Sequence, residues 1–576
     1  MADLIYEIKE RRVLPAVGVY AAGCWVLIEI LDRLVERYLL SPYITDIAFW
    51  GLYSLIPAVI LVAWSHGRPG KDKSTTAEKV GVPINVIATL GLLISVFGGK
   101  DLGVTANMIT LANEEGVEEV HYVPSESFRR RMAVFFFHND SGEQDLDWLQ
   151  YGVTELLVQD LQQNPFLLAS SPWANFENGF YSRMRQAGFV DGIGIPRSLM
   201  REIAADANRQ HFIEGSIDRA GDEYTLTARI WETRSLELVD ELVESGWDLY
   251  DTVDALSVEV RRALDIPDGS ARLGVDLPLA ETYGESEQAF RSYVEGLNTR
   301  LFDNDIEASN GHFDRALEAD GNFVLAWFLK AVNFVNGGDI PAAQEATARA
   351  QELDYRLPAR DRVTLKALNY RLSGQQDKLI AFLRMQVQLN DDATSHGRLA
   401  AMLMSMGQLE DAKEGYLLAL ERDPMNLDVY LQLSILERAM GNPEAAIAYA
   451  ERYWAEKPED AGAHLVLGDY LRDTGDLKGA DTYYEQATLL EDHPVSALLR
   501  MADIAARKGD AKSARDLLAQ AEAAAPTPQA QGAVRQAAAQ LETRLGRLRA
   551  GIEQMFKQEE YLSQVLPTYQ VAVSTY

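Results

Sequence analysis

The spacing of apolar and polar residues changes twice along this chain. Apolar residues form long runs in residues 1–99, whereas in residues 129–268 short apolar runs of strand length alternate with stretches of helical periodicity. From 287 to 528 helical periodicity continues alone. The pattern predicts a multi-domain protein with N-terminal transmembrane helices, an α/β middle domain and an all-α repeat region. Residues 100–128 are predicted to be a stalk or linker, and residues 529–576 a capping helix followed by an extended C-terminal tail.

Glycine and alanine recur at a fixed interval in the all-α region. Gly407, Gly441 and Gly475 are separated by about 34 residues, and an alanine follows each of them at the same distance. Glycine suits the turn between two helices, and a small residue lets their backbones approach. The period resembles that of the tetratricopeptide repeat and predicts a solenoid of about seven repeats. A generic amphipathic bundle is the alternative, although it has no reason to keep a fixed period.

Repeat arrays of this kind bind partner proteins rather than catalyse, because the first helices of successive repeats line a concave groove. The residues expected to face this groove in the best-matched repeats are Leu431, Ile435, Arg438, Leu465, Asp469, Arg472, Leu499 and Asp503. They lack the lysine and asparagine pattern that clamps a terminal carboxylate. We therefore expect an apolar or mixed partner segment, whose carboxylates would pair with Arg438 and Arg472.

Charge and cysteine usage narrow the range of functions. The formal net charge is −32, and acidic and basic residues balance within residues 1–80, so the excess negative charge lies beyond them. Such a surface repels nucleic acid, which is not expected as a partner. Cys24 is the single cysteine, so the chain can form neither an intramolecular disulfide nor a cysteine-based zinc site. With no nucleophile–base pair and no metal-ligand spacing, the sequence predicts no catalytic residue, no metal and no cofactor.

Three apolar runs near the amino end predict a membrane anchor. They cover residues 13–31, 47–64 and 82–98, and the third is the least certain span because Pro83 and Asn85 stand near its start. Basic residues precede the first run and fill the loop between the second and third: Lys9, Arg11, Arg12, Arg68, Lys71, Lys73 and Lys79. Because cytoplasmic loops are enriched in such residues, three spans starting inside would place everything beyond residue 100 outside, in the periplasm of a Gram-negative cell.

The middle domain shows the periodicity of mixed strands and helices. The predicted strands are residues 131–137, 166–169, 211–218, 224–231 and 236–245, and the predicted helices are residues 147–163, 196–208 and 251–264. Polar residues 138–147 after the first strand are interpreted as a solvated loop, with a metal or ligand site as the alternative. Arg129, Arg130 and Arg131 are expected at the end of the stalk, with contact to phospholipid head groups as the alternative.

Three segments of this domain carry a family resemblance. Residues 132–139 (Met-Ala-Val-Phe-Phe-Phe-His-Asn), 151–157 (Tyr-Gly-Val-Thr-Glu-Leu-Leu) and 213–228 resemble the signatures of the TolB amino-terminal-like (FlgO-like) domain. Proteins with that domain often begin with an anchor pattern similar to residues 8–13 (Ile-Lys-Glu-Arg-Arg-Val) and continue into tetratricopeptide repeats. The resemblance implies an envelope location and protein contacts, and it implies no particular reaction.

The C-terminal tail differs in character from the rest of the chain. From Leu566 it is uncharged and rich in β-branched and aromatic residues, which predicts an extended segment that pairs with a sheet edge or lies in a groove of another protein. The residues expected to make this contact are Tyr569, Val571, Val573 and Tyr576. A frayed terminus is the alternative.

Together these patterns predict a membrane-anchored periplasmic scaffold or adaptor, either as a homo-oligomer or as a subunit of an envelope complex. The alternative is a transmembrane sensor whose middle domain binds a ligand and signals through a separate cytoplasmic partner. A sensor needs an output domain on the cytoplasmic side, where only short basic segments are predicted.

Overall fold

The computed structural model describes residues 10–66, 75–112, 118–173, 180–267, 276–422, 426–491, 494–525, 528–547 and 549–551. The chain divides into two compact units, Met1–Asn390 and Asp391–Tyr576. The first unit contains apolar N-terminal helices, a sheet-containing middle region and the first helical repeats, and the second contains the remaining repeats. The predicted fold class, with N-terminal apolar helices, a sheet-containing middle region and an all-α repeat array, is confirmed.

Four helices form the N-terminal region: α1 (Val13–Tyr38), α2 (Tyr43–Ser54), α3 (Ile56–His66) and α4 (Thr76–Phe97). Helices α2 and α3 together make one apolar stretch, so three stretches are long and apolar enough to cross a membrane. The third stretch, the least certain from sequence, is a continuous helix that contains Pro83. Most side chains of these stretches are not buried within the protein, as lipid-facing helices require.

The break between α2 and α3 is repaired by Asn85 of α4. Pro57 has no N–H, and the ladder of backbone hydrogen bonds is interrupted beside it. The Asn85 side chain donates to the Ser54 carbonyl (3.0 Å) and accepts from the Ala58 N–H (3.2 Å). In a lipid environment no water could satisfy these two backbone groups, so the amide stabilises the bend.

A joint connects the anchor to the middle domain, and it consists of residues 39–43, residues 100–105 and Asp265. Ser41 N–H donates to the Gly103 carbonyl (2.9 Å), Thr105 N–H donates to the Leu39 carbonyl (2.6 Å), and Leu40 and Val104 form an isolated β-bridge. The loop between α1 and α2 therefore lies on the same side as the chain that follows α4. At the other end of the anchor, Arg11 donates to the Trp64 carbonyl (2.6 Å).

The segment expected to be a linker contains regular structure. Strands β1 (Ala106–Ala112) and β2 (Glu118–Pro124) form an antiparallel hairpin, with Met108 opposite Tyr122. The sequence signal was weak because the strands mix polar and apolar residues without clear alternation. Residues 100–128 are thus a joint followed by a hairpin, and Arg129 behind them is buried beside Glu126 instead of facing lipid head groups.

The middle domain is a mixed sheet with helices. Its elements are β3 (Arg130–Val134), β4 (His138–Asn139), α5 (Leu149–Leu161), β5 (Leu167–Ser170), α6 (Phe180–Gln186), α7 (Arg197–Asp206), β6 (His211–Ala220), β7 (Glu223–Glu232), β8 (Leu238–Gly246) and α8 (Leu249–Ala263). The strand order is β5-β3-β6-β7-β8, and β4 pairs with β6. Strand β3 is parallel to β5 and β6, whereas β6, β7 and β8 form an antiparallel meander.

After the short helix α9 (Leu279–Tyr283), the described residues contain seven consecutive helix pairs and a final helix. The pairs are α10 (Glu287–Asn298) with α11 (Ile306–Ala319), α12 (Val324–Gly337) with α13 (Ile340–Glu352), α14 (Ala359–Leu372) with α15 (Gln376–Leu389), α16 (Ala393–Ser405) with α17 (Leu409–Arg422), α18 (Leu427–Ala439) with α19 (Pro443–Glu456), α20 (Ala461–Asp473) with α21 (Leu477–Leu490), and α22 (Val495–Arg507) with α23 (Ala511–Ala524). The final helix is α24 (Pro528–Arg544).

The first repeats share a hydrophobic core with the middle domain. The ring of Phe302, in the turn between α10 and α11, lies 5.6 Å from Tyr151 and 5.0 Å from Tyr181. Phe290 of α10 lies 5.6 Å from Trp148. Because these aromatic contacts continue without interruption into the sheet core, the middle domain and the pairs up to α15 form one unit rather than separate domains.

Candidate functional site: the first-helix surface of the repeats

In the repeats of the second unit, glycine lies in the turn between the two helices and alanine lies in the second helix, at the predicted positions. Gly407, Gly441 and Gly475 have φ values of 76°, 82° and 93°, which L side chains rarely adopt. Gly468 of α20 is needed for a different reason, since a Cβ there would lie 2.3 Å from the Tyr484 ring. The periodicity therefore encodes both the turn between two helices and their close approach.

Ion pairs connect the first helices of successive repeats. Arg438 of α18 pairs with Asp473 of α20 (2.6 Å), and Asp469 of α20 pairs with Arg500 of α22 (3.1 Å). Asp503 of α22 pairs with Arg544 of α24 (2.7 Å). This ladder uses the charged residues that the sequence assigned to partner binding. Their charges are already balanced within the chain.

Asp469 is the most heavily bonded residue of the ladder. Its carboxylate is buried and accepts hydrogen bonds from the Tyr484 hydroxyl (2.8 Å) and the Arg500 guanidinium, and it pairs with Arg472 (3.0 Å). Burial and the hydrogen bond to Asp469 raise the pKa of Tyr484. A buried carboxylate is stable only when its lone pairs are satisfied, as they are here.

The structure separates the predicted groove residues into two groups. Leu465 and Asp469 are buried, and most of the Arg472 side chain is buried as well. These three are not exposed contacts of the free chain, because α20 is covered by its neighbours. Ile435 is exposed (38%) and Arg438 is exposed although paired, whereas Leu431, Leu499 and Asp503 are half-buried. The predicted tail contacts Tyr569, Val571, Val573 and Tyr576 lie outside the described residues.

One part of the first-helix surface carries no charge. The positions one repeat before Leu431, Ile435 and Arg438 are Gly397, Ala401 and Met404 of α16. Ala401 is exposed, and a Cβ at Gly397 would meet no atom within 4 Å, so the surface is open there. We call Gly397, Ala401, Met404, Leu431 and Ile435 the uncharged patch. Sequence reasoning missed the α16 positions, although the period of the repeat would have found them.

The polar loop after the first strand of the middle domain is organised by one residue. Asn139 donates to the Glu143 carbonyl (2.9 Å) and to Asp147 (2.8 Å), while its own side-chain oxygen accepts from Ser141 N–H (3.1 Å). Among the residues that the structure describes, no group of three or more histidine, cysteine, aspartate or glutamate side chains could hold a metal ion. The geometry here is that of a hydrogen-bonded turn.

A carboxyl group at the seam between the middle domain and the repeats was not anticipated. Glu155 of α5 is half-buried and accepts hydrogen bonds from the hydroxyls of Tyr283 and Tyr293, both at 3.1 Å. Burial raises the pKa of Glu155 to about 7, although the two hydrogen bonds act to lower it and Asp361 of α14 raises it further. Only the fold brings Glu155 to these tyrosines, since both are more than a hundred positions from it in sequence.

Comparison with known proteins supports the repeat assignment. Residues 461–493 match the family model described as Tetratricopeptide repeat. No curated protein matches the chain. The chain therefore contains a tetratricopeptide repeat in α20 and α21, as predicted.

Several solved structures resemble part of the chain. A crystal structure of MamA protein is 17% identical, with 30% of this chain and 92% of that chain covered and a TM-score of 0.25. A thermophilic tetratricopeptide repeat protein of Thermus thermophilus is 22% identical, with coverages of 32% and 97% and a TM-score of 0.27. A tetratricopeptide repeat protein from Parabacteroides merdae is 14% identical, with coverages of 43% and 96% and a TM-score of 0.33. The repeat assignment rests on the family match and on the helix geometry.

Proposed function

We propose that this chain is a membrane-anchored scaffold that binds a partner protein through the uncharged patch of its repeats. The proposal places the part beyond residue 100 in the periplasm of a Gram-negative bacterium, where the chain would act in an envelope complex. Three helices long enough to cross a membrane and the basic residues beside their predicted cytoplasmic ends support this orientation. The joint supports it as well, because the loop between α1 and α2 lies beside the chain that follows α4.

The binding proposal rests on a difference between the first helices of successive repeats: some carry paired charged side chains and others carry small or apolar ones. In α20 and α22 the charged side chains are engaged in the ion-pair ladder, so a partner could pair with them only by breaking an existing contact. In α16 all three equivalent positions are small or apolar, as are Leu431 and Ile435 of α18, and these positions are partly open to solvent. An exposed apolar surface on an acidic protein is suited to an apolar or amphipathic partner segment.

A pair of matched substitutions tests the patch. Ile435 lies in the patch and is 38% exposed, whereas Leu417 lies on the second helix α17 and is 42% exposed. We expect Ile435→Asp in the full-length protein, purified in mild detergent, to lose the proteins that co-purify with the wild type. Leu417→Asp should keep them, and both variants should unfold at the wild-type temperature. Loss of the partners in both variants, or in neither, would refute the patch as the binding site.

Reporter fusions test the orientation. Fusions at Asp72 and Glu114 should report opposite compartments, the cytoplasm for Asp72 and the periplasm for Glu114. The same compartment at both positions would contradict three spans and would place the repeats in the cytoplasm.

A transmembrane sensor is the second candidate, and the joint is the observation that favours it. Tyr43 of α2 donates to Asp265 (3.0 Å), which follows α8, and Lys100 after α4 donates to the same carboxylate (3.0 Å). A movement of the middle domain would therefore reach the membrane helices directly. The double variant Tyr43→Phe, Lys100→Met removes both hydrogen bonds to Asp265. If it changes the activity of a cytoplasmic signalling partner while the proteins bound at the uncharged patch still co-purify, the sensor is favoured over the scaffold.

A further inference from the structure

The outermost strand of the middle-domain sheet has a free edge. Strand β8 pairs with β7 on one side, and its other side pairs with no strand in the described part of the chain. It spans nine residues, Leu238–Gly246. An edge of this length presents a row of backbone N–H and C=O groups that can accept another strand.

Apolar side chains line this edge on the sheet face opposite helix α8. Leu238 and Val243 stand opposite Trp231 and Thr227 of β7, which are four residues apart and therefore share one face. Leu238 is 45% exposed and Val243 is 55% exposed. Trp247, directly after the strand, is 73% exposed. Side chains of this kind stabilise an added strand through cross-strand contacts.

The acidic side chains of β8 disfavour some of the strands that could pair with its edge. Glu241 is paired with Arg229 of β7 (2.9 Å), whereas Asp240 is an exposed acidic group and Glu244 a half-buried one. A second β8 strand or another acidic segment would place like charges next to them. An uncharged strand would meet no such repulsion, so the edge is suited to an uncharged segment within an otherwise acidic protein.

We propose that this edge receives residues 566–576 of a second copy of the chain as an additional strand. This segment is uncharged, and Tyr569, Val571 and Val573 alternate with Gln570, Ala572 and Ser574, which is the period of a strand with one apolar face. Its residues lie outside those that the structure describes. The proposal is independent of the uncharged patch.

A second copy is a suitable donor for two reasons. Each copy has one free β8 edge and one such segment, so two copies related by a two-fold axis can satisfy each other reciprocally. The membrane helices also confine copies to one bilayer in one orientation, which raises their effective concentration.

Cross-linking between differently tagged copies tests whether a second copy donates the added strand. One copy carries Val243→Cys and the other Val571→Cys, and both carry Cys24→Ser, so that a bismaleimide reagent can join only the two introduced cysteines. We expect a covalent heterodimer in membranes. The matched control replaces Val243→Cys by Val190→Cys, at a valine that is 66% exposed elsewhere in the middle domain. A heterodimer yield no higher than that of the control would overturn the proposal.

A peptide of residues 565–576 tests the mode of binding. Added with a fluorescent label to the full chain ended at Gln564, it should bind, and Val243→Lys should weaken it at least tenfold while Val190→Lys leaves it unchanged. N-methylation of the alternate backbone amides that face β8 should abolish binding, because those N–H groups donate to the edge, whereas methylation of the other alternate set should leave it unchanged. Equal binding of both alternately methylated peptides would overturn the proposal. Partner co-purification through Ile435, measured on the same shortened chain, shows separately whether the scaffold proposal holds.

Discussion

The half-buried carboxyl of Glu155 gives the sharpest test of the seam between the middle domain and the first repeats. Its pKa rises from 4.5 to about 7 in the fold, chiefly through burial. A raised pKa means that the group stabilises the fold fully below the unfolded value of 4.5, and that this contribution is lost as the pH rises through about 7. At about 1.4 kcal/mol for each tenfold change in proton affinity, ionisation costs about 3 kcal/mol at pH 8.

The substitution Glu155→Gln removes this cost, because the amide is neutral at every pH and its oxygen can still accept from Tyr283 and Tyr293. We expect the free energy of unfolding of the first unit to increase relative to the wild type by about 1 kcal/mol at pH 5 and by about 3 kcal/mol at pH 8. Urea unfolding followed by tryptophan fluorescence measures it, since Trp148 packs against Phe290 in the same core.

The control for this prediction is Glu345→Gln, at an exposed glutamate of α13. It should change the free energy of unfolding by less than about 0.5 kcal/mol at both pH values. The reasoning is refuted if Glu155→Gln destabilises the protein equally at pH 5 and pH 8. That result would mean that the ionised carboxylate, held by the two tyrosines, is the stabilising form.

Three further substitutions test other parts of the structure. Asn85→Leu leaves two backbone groups at the helix break without partners and should lower the stability of the anchor by about 2 kcal/mol or more, seen as a lower aggregation temperature in detergent. Asp469→Asn uncouples two buried ion pairs and should cost about 3 kcal/mol in chemical denaturation, whereas Asp473→Asn at the exposed end of the ladder should cost less than about 1 kcal/mol. Gly441→Ala places a methyl group at positive φ and should lower the free energy of unfolding by about 1–2 kcal/mol, but Gly397→Ala, inside helix α16 where no atom lies near, should raise it by about 0.5–1 kcal/mol.

The repeats could be predicted because their signal is repeated. Gly407, Gly441 and Gly475 share one backbone requirement, and three glycines at one constant spacing are hard to explain by another fold. The three apolar stretches could be predicted just as directly, because a helix that crosses a lipid bilayer must be long and apolar. The break before Pro57 and its repair by Asn85 were not predictable, since that contact joins two helices whose packing the sequence does not specify.

The proposed binding surface was only partly predictable, and the reason is physical. The repeat offset correctly places Ile435 at an exposed position, but it cannot show that Asp469 meets Arg500 of the next repeat, because that contact depends on the stacking of neighbouring units. The same limit applies to Glu155, whose tyrosine partners come from the connection into the repeats. Periodicity specifies which face a residue occupies, and the neighbours decide whether that face is open.

The joint between the anchor and the middle domain has a mechanical consequence. A flexible stalk would let the middle domain swivel relative to the N-terminal apolar helices and would absorb any pull on it. Here the backbone hydrogen bonds that Leu39 accepts and Ser41 donates, together with the carboxylate of Asp265, hold the domain against the loop between α1 and α2 and the chain after α4. Torque on the domain is therefore transmitted to the N-terminal apolar helices, and a fragment that starts at residue 129 would lack the part of the molecule that carries this load.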